Sequence, residues 1–418
     1  MLVFKFGGAS VKDAAAIINL GNVVKKFADQ QLLIVVSAMG KTTNKLENLT
    51  KAYVNQADDI KLIYSDIKTY HNQILSELFE PSHPVYDEVE NTFVEIDWMI
   101  EDEPHDDFDF IYDQLVSIGE LVSTRIITAY LSQVGLKSKW LDVRGYIHTD
   151  NTYREGIVDW PKTREHIQQY IPAMLQSDIV VTQGFLGGTS ENFTTTLGRE
   201  GSDYTAAIFA ACLHAESVTI WKDVPGVLNA DPKFYSDTVK FDHLSYTEAI
   251  EMTYYGAGVI HPKTIKPLQN AKIPLLVKPF NDADAAGTII SEEALLVYEK
   301  PVIIVKENQV LLSVSAKDYS FITEAHLSAV FTFFADRHIK INMMQVSALS
   351  FTLCFDYPYE GFDTLILTLQ GDFKVKYNLN LSLMTVRHYK QGEIKGLIAG
   401  RKVLLEQLSR NTAQMILT

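Results

Sequence analysis

Lys5-Phe6-Gly7-Gly8-Ala9-Ser10 sets two glycines directly after a short apolar stretch with a lysine near its end. Glycines at such a junction let backbone N–H groups approach phosphate closely, and the start of a following helix adds partial positive charge. A lysine there can reach phosphoryl oxygens and neutralise charge that develops during transfer. A plain strand-to-helix turn with a surface lysine would read the same way. The stretch GREGSDYTAA at 198–207 says more, because Arg199, Ser202 and Asp203 bring a carboxylate fork, a hydroxyl and an acid to one loop. Arginine suits a substrate carboxylate since its planar donors bind both oxygens at once. Glu120, in VSIGEL at 116–121, stands at the start of an apolar helical stretch. An acid in a first turn is favourable with the helix dipole; holding a substrate ammonium is the chemical alternative, and these residues alone favour the dipole. Lys222 and Asp223 end a strand in a Pro-Gly turn, with Lys233 shortly after. Strand ends at that edge of an α/β sheet are where ligands bind, although solvated charges on an ordinary turn fit equally well.

These groups need elements to hold them. Leu2–Phe6 reads as a strand running into Gly7-Gly8, and 11–29 follows with helical spacing of apolar residues. LLIVVSA at 32–38 is a continuous β-branched run, as in a central strand covered on both faces. The same pattern returns at 178–182 and 217–221. Strand, glycine and helix in repetition predict an α/β fold, a mostly parallel sheet sandwiched by helices. From 47 to 115 the chain turns long, polar and helical, and the acidic run from Glu95 to Asp113 is expected to be a solvated helix face or loop. A loop and a last small strand are expected over 281–291.

Beyond that point the composition shifts. Strands at 302–305 and 310–314, a helix at 323–338 and strands at 339–346 and 350–357 give the βαββαβ style of a small α+β module. The pattern resumes with a strand at 381–388, a helix around 400–409 and a strand at 413–417. A second module is therefore expected to begin and to lack its last strand–helix–strand portion.

The 418 residues suit two or three domains, with a composition able to bury a full core: 47% hydrophobic and 21% charged residues. The formal charge is −15, from 52 acids against 37 bases. Without a basic stripe, such a surface repels nucleic acid, so no nucleic-acid partner is expected. Cys212 and Cys354 are far apart among apolar neighbours, reading as buried thiols of a reducing compartment rather than a disulfide or zinc site. The N-terminal residues lack the pattern of a signal peptide and no long apolar run is evident, so a cytoplasmic protein with no membrane span is expected.

Seven stretches in order resemble the aspartate kinases of the amino-acid kinase superfamily, in the monofunctional branch with C-terminal ACT modules. They are KFGGAS at 5–10, VVSAMGKTTNKL at 35–46, LVSIGELVST at 115–124, TQGFLGG at 182–188, TTLGREGSDYTAA at 195–207, WKDVPGVLNADPK at 221–233 and YGAGVIHPKTIKPL at 255–268. The resemblance implies an amino-acid kinase catalytic domain over 1–290 and an ACT-like regulatory region over 299–418, its first module at about 310–370. It implies transfer of the ATP γ-phosphoryl group to the β-carboxylate of L-aspartate, with Mg²⁺ riding on the nucleotide. In that scheme Lys5 and Asp203 are the catalytic pair, and Gly7 and Gly8 line the triphosphate. Arg199 grips an aspartate carboxylate near Ser202, Ser37 and Thr43, Phe185 packs against the substrate, and Asp223 and Lys233 contact the nucleotide. Glu120 takes the α-ammonium, which reverses the reading of that residue from its position alone. ACT modules imply a homodimer formed through that region, with feedback by lysine or threonine.

The chain departs from the family pattern in four places. Glu200 stands where the family loop has glycine, Gly258 where a nucleotide-contacting lysine is usual, Leu228 where a tyrosine is usual, and Lys222 where a threonine is usual. Lys222 would then partly restore the charge lost at Gly258. Sister kinases acting on glutamate, acetylglutamate or carbamate are disfavoured by the Gly119-Glu120 segment together with the ACT-like tail. The alternative of a different class is a catalytically weak amino-acid sensor, for which Glu200 and Gly258 speak, and against which Lys5, Arg199 and Asp203 stand together.

Overall fold

The computed structural model describes residues 1–258, 260–292, 300–318, 320–358, 361–390, 392–398 and 400–418. Position 259 of the 255–268 motif and the expected start of the C-terminal region at 299 lie outside these. The described residues form two compact units, one of 1–227, 240–250 and 258–292, the other of 228–239, 251–257 and 300–418.

The first unit opens with β1 (Leu2–Phe6), α1 (Ala14–Lys25), β2 (Leu32–Val36), α2 (Thr42–Val54), α3 (Ile60–Leu78), α4 (Val85–Glu101), α5 (Phe108–Val116) and α6 (Ile118–Gln133). It continues through β3 (Ser138–Leu141), α7 (Trp160–Leu175), β4 (Ile179–Gln183), β5 (Leu186–Gly188), β6 (Thr194–Thr196), α8 (Gly201–Leu213) and β7 (Ser217–Lys222). β8 (His243–Ser245), α9 (Tyr246–Tyr254), α10 (Pro262–Ala271), β9 (Leu275–Pro279) and β10 (Thr288–Ser291) follow, the last turn of α9 falling in the second unit.

Eight of these strands make one sheet in the order β3-β4-β2-β1-β7-β9-β10-β8. All its pairings are parallel except β9 with β10. β2 and β4 are buried at every residue, as their β-branched runs require when helices cover both faces. β1 lies between β2 and β7, where the strand order changes direction, and ligands of such sheets bind outside the strand C-termini at that point. Local signals start the flanking helices: Asp13 accepts from Ala16 N at 2.8 Å, and Asp159 from Lys162 N at 3.1 Å beside Pro161. α8 is apolar nearly all round and buried nearly throughout, as a helix laid across the sheet under other helices must be.

One expectation about α5 is corrected. The stretch Phe108–Gln133 is long and apolar enough to cross a membrane by length and composition, and 72% of its most apolar window is buried, as in core helices. Asp113, expected in a solvated acidic run, is buried: Oδ2 accepts from Arg154 N and Thr196 N, both at 2.9 Å, and Oδ1 from Thr196 Oγ1 at 2.7 Å. Its helix face packs inward, and the β6 backbone supplies donors that local charge density cannot reveal.

The second unit holds β11 (Val302–Ala316), α11 (Glu324–Asp336), β12 (Ile341–Val346), β13 (Phe351–Asp356), α12 (Phe362–Asp372), β14 (Phe373–Arg387), α13 (Glu393–Ile398), β15 (Val403–Leu408) and β16 (Thr412–Leu417). Its antiparallel sheet runs β12-β13-β11-β14-β16-β15. The two strands expected at 302–305 and 310–314 are one strand, interrupted by a register shift between Lys306 and Gln309 where Asn308 adopts φ 55°. β14 likewise runs through both halves. The later half of β11 with α11, β12, β13, α12 and the first half of β14 forms a complete βαββαβ set around Leu312, Phe334, Phe355 and Leu365.

The second set is built from the ends of the region. Val302–Lys306 pairs with Leu383–Arg387 of β14, which also pairs with β16. A strand missing after Leu417 in sequence order thus stands earlier in the chain. The helix expected at 400–409 is strand β15: Gly400 takes φ 78°, and 403–408 pairs with β16.

Candidate active site

Alternation along β1 sends Phe4 and Phe6 to one face and Lys5 to the other. Phe6 stacks on Trp221 of β7 with ring centroids 6.1 Å apart, and Phe4 meets Trp221 edge-on at 5.4 Å. This aromatic packing fixes β1 against β7 from below. On the opposite side the Lys5 ammonium lies 2.6 Å from Asp203 Oδ1, in the first turn of α8, with both side chains nearly buried. Ion pairs this dry are held by the surrounding structure and leave a costly bare charge if one partner is removed.

Gly7 and Gly8 continue from β1 into a 3₁₀ turn, Gly8–Val11, whose Ser10 Oγ donates to Trp221 O at 3.3 Å. A Cβ on Gly8 would stand 2.7 Å from Gly40 O and 2.9 Å from Ala38 O, so only glycine lets this turn lie against the loop after β2. Gly40 N in turn donates to Gly8 O at 3.0 Å. Ser37 sits at the end of β2, its N–H on Phe6 O and its carbonyl accepting from Ser123 Oγ at 2.8 Å. Thr43, half-buried, lies in the first turn of α2.

Glu120 occupies the first turn of α6 and is buried. Oε1 accepts from Ala38 N at 3.3 Å, while Oε2 is enclosed with no hydrogen-bond partner. Burial pushes its carboxyl up to about 8, with the Ala38 N–H and the positive charge of Lys5 pulling the other way. A buried acid with one unsatisfied oxygen keeps hydrogen-bonding capacity that the described residues do not use.

The loop Leu197–Gly201 and the segment after β4 close the site. A Cβ on Gly184 would come within 2.4 Å of Ser202 Cβ, and one on Gly201 within 2.7 Å of the Phe185 ring. Phe185 itself is held at φ 73° by its N–H donating to Thr205 Oγ1 at 3.0 Å. Ser202 is buried under this contact, and Arg199 is exposed at the loop tip with no ion pair among the described residues. Glu200 has φ 55° and caps α8 in the left-handed region, with one buried carboxylate oxygen lacking a partner. That conformation is the one glycine adopts without strain.

Lys222 and Asp223 end β7 beside β1, half-buried and exposed respectively, and Lys222 O accepts from Phe280 N. Lys233 is exposed in the second unit, its backbone N–H donating to Asp231 Oδ1 at 2.8 Å. The structure thus gathers Lys5, Gly7, Gly8, Ser37, Glu120, Phe185, Ser202 and Asp203 through direct contacts. For Lys233 it shows only the local turn. Nothing in the motif pattern singles out Asp113, Thr205 or Ser123, which position the site; their signal is in the backbone groups they bind, which sequence spacing does not carry. Burial pushes Asp113 up to about 6 despite its three donors.

The chain matches the Amino acid kinase family over residues 1–279. Lysine-sensitive aspartokinase 3 of Escherichia coli (strain K12) is 32% identical over 360 residues, covering 85% of this chain and 78% of the relative. Aspartokinase 1, chloroplastic, of Arabidopsis thaliana is 33% identical over 367 residues, 85% of this chain and 63% of the relative. Among solved structures, E. coli aspartokinase III in complex with aspartate and ADP (R-state) superposes with a TM-score of 0.85 at 28% identity, over 100% of this chain and 96% of that one. The same enzyme with lysine and aspartate (T-state) gives 0.84.

Proposed function

The chain belongs to the amino acid kinase family, and from that premise we propose that it is an aspartate kinase, forming 4-phospho-L-aspartate and ADP from L-aspartate and ATP. The observation that carries this reading is the buried Lys5–Asp203 pair, whose lysine charge acts on the nearby Glu120 carboxyl with its unsatisfied oxygen. Glu120 takes the substrate ammonium and Arg199 its α-carboxylate, with Ser37, Thr43, Ser202 and Phe185 shaping the space around the side chain. These contacts leave the β-carboxylate free to react. One of its oxygens attacks the γ-phosphorus in line, and the bond from that phosphorus to the β–γ bridging oxygen breaks. A carboxylate is already ionised at neutral pH, so the step needs no general base. Positioning and charge neutralisation do the chemistry.

Gly7 and Gly8 let backbone N–H groups approach the triphosphate, and the Lys5 ammonium, aimed by Asp203, meets the charge gathering on the transferred group. Lys222, Asp223 and Lys233 contact the nucleotide. Mg²⁺ would ride on the nucleotide, where it would offset the charge of the phosphates. The catalytic domain extends over 1–290 and the C-terminal modules, over 299–418, take an amino-acid effector and pair the chain as a homodimer.

The test is ATP-dependent phosphorylation of L-aspartate with the acyl phosphate trapped by hydroxylamine. Hydroxamate is expected from aspartate, none from glutamate or acetylglutamate, and none with Lys5→Ala. No product from any of the three, with aspartate still raising the melting temperature, would replace this reading with the amino-acid sensor.

A further inference from the structure

The first unit contains a second cavity, of about 970 Å³, that no step of the reaction uses. Its walls are α7, α8, α10 and the segment before Asp159, and the α8 residues in it, Tyr204 and Ala211, stand about a quarter turn round the helix from Asp203. The volume is in the range of pockets that enclose whole small molecules. Trp160 and Tyr204 meet there in a T-shaped pair, centroids 6.4 Å apart, and Ile157 is 64% exposed at the rim. Three cations line the same space, Arg164, Lys263 and Lys266, all exposed, and none has an ion-pair partner among the described residues. In a chain of formal charge −15 a concave surface lined by three cations and one acid is out of balance with the rest. Low-dielectric walls around such charges focus the field on an anion that enters.

We infer that this cavity binds a planar organic anion, its ring against Trp160 and Tyr204 and its charged group on Arg164, Lys263 and Lys266, and that occupancy regulates the enzyme. Ring faces and edges recognise aromatic ligands, and the guanidinium and ammonium groups recognise carboxylate or phosphate alike. The one acid in the lining, Glu155, is turned toward the substrate loop: its Cγ would lie 3.4 Å from a Cβ on Gly198. Leu197, the residue before that glycine, and Tyr204, the residue after Asp203, are also in the wall. A ligand seated here presses on the segment that carries Arg199, so it changes the KM for aspartate more than kcat.

The experiment is calorimetric titration of the full chain, with ADP and aspartate saturating, using phenyl phosphate, 3-phenylpropanoate and neutral 3-phenylpropan-1-ol. Saturable binding of an anion, one per chain, is expected, with the alcohol at least about tenfold weaker, and the tighter anion identifies the headgroup. The exposed double variant K263Q/K266Q should weaken anion binding about tenfold at unchanged melting temperature, and Trp160→Ala should weaken all three probes. No binding, or binding unaffected by either variant, overturns the site. Binding that leaves the KM for aspartate unmoved overturns the regulatory role; the calorimetric readout does not depend on the aspartate kinase reading.

Discussion

Lys5 and Asp203 illustrate how one alternation step in a strand sets chemistry. Phe4 and Phe6 must bury against Trp221, and this forces the intervening lysine across the sheet to α8. In the proposed reaction Lys5→Ala removes the charge that meets the transferred phosphoryl group, and in the fold it strands a buried carboxylate. We expect kcat to fall by at least about 100-fold, and stability to fall by about 3–5 kcal/mol in chemical denaturation; Lys5→Ala with Asp203→Asn should recover most of the stability and none of the rate. Glu120 gives a pH signature. Its folded carboxyl, raised to about 8, stays protonated at pH 7, whereas an ammonium ligand requires the anion. Aspartate binding should therefore release a proton and tighten as pH rises from 6 toward 8, by up to about tenfold per pH unit. Calorimetry in buffers of different ionisation enthalpy reads that proton directly, and Glu120→Gln should abolish it. The sign for stability is the reverse: an acid raised above its unfolded value of 4.5 favours the fold below that pH, and the contribution is lost as pH climbs through about 8.

At the scale of elements, the start of α8 is the part most sensitive to residue choice. Gly198 at φ 75° and Glu200 at φ 55° turn the chain so that Gly201 can lie on Phe185 and Ser202 under Gly184. Glycine is free in that conformation and glutamate is not. Glu200→Gly should stabilise the folded chain by about 1 kcal/mol, read by urea denaturation. Removing an acid from the loop should also lower the KM for aspartate and ATP, both anions. An unchanged KM for both would mean that the carboxylate points away from the ligands. α5 matters to the same loop, because Asp113 clamps Thr196 and Arg154 on either side of it.

For the whole molecule, the second unit shows how two α+β sets share long strands. β11 and β14 each run through both sets, and the strand that completes the second one precedes the first. β12 is left at one edge of the six-stranded sheet with Met344 and Val346 about half exposed. An apolar unpaired edge invites a second copy. The dimer proposed above should then sediment as a monomer when Met344→Lys and Val346→Lys are combined, with the aspartate-dependent rate retained in part; a dimer that survives the pair would place the interface elsewhere.

Sequence alone determined what is local. The β-branched runs at 32–38 and 178–182 read as buried strands of a mostly parallel sheet, and Gly7-Gly8 and the 198–207 loop pointed to close backbone approaches and charged chemistry. Tertiary structure decided whatever depends on partners distant in the chain. Glu120 reads as a dipole-favoured helix start until Ala38 and Lys5 are placed beside it. Asp113 looks solvated until β6 supplies its donors. The stretch 403–408 looks helical until β16 pairs with it, and the second module looks truncated until Val302–Lys306 folds back onto β14. Spacing of side chains reports which face an element will bury, but backbone pairing and desolvation are set by what arrives from elsewhere, and those decide both the sheet order and the charge state of a buried acid.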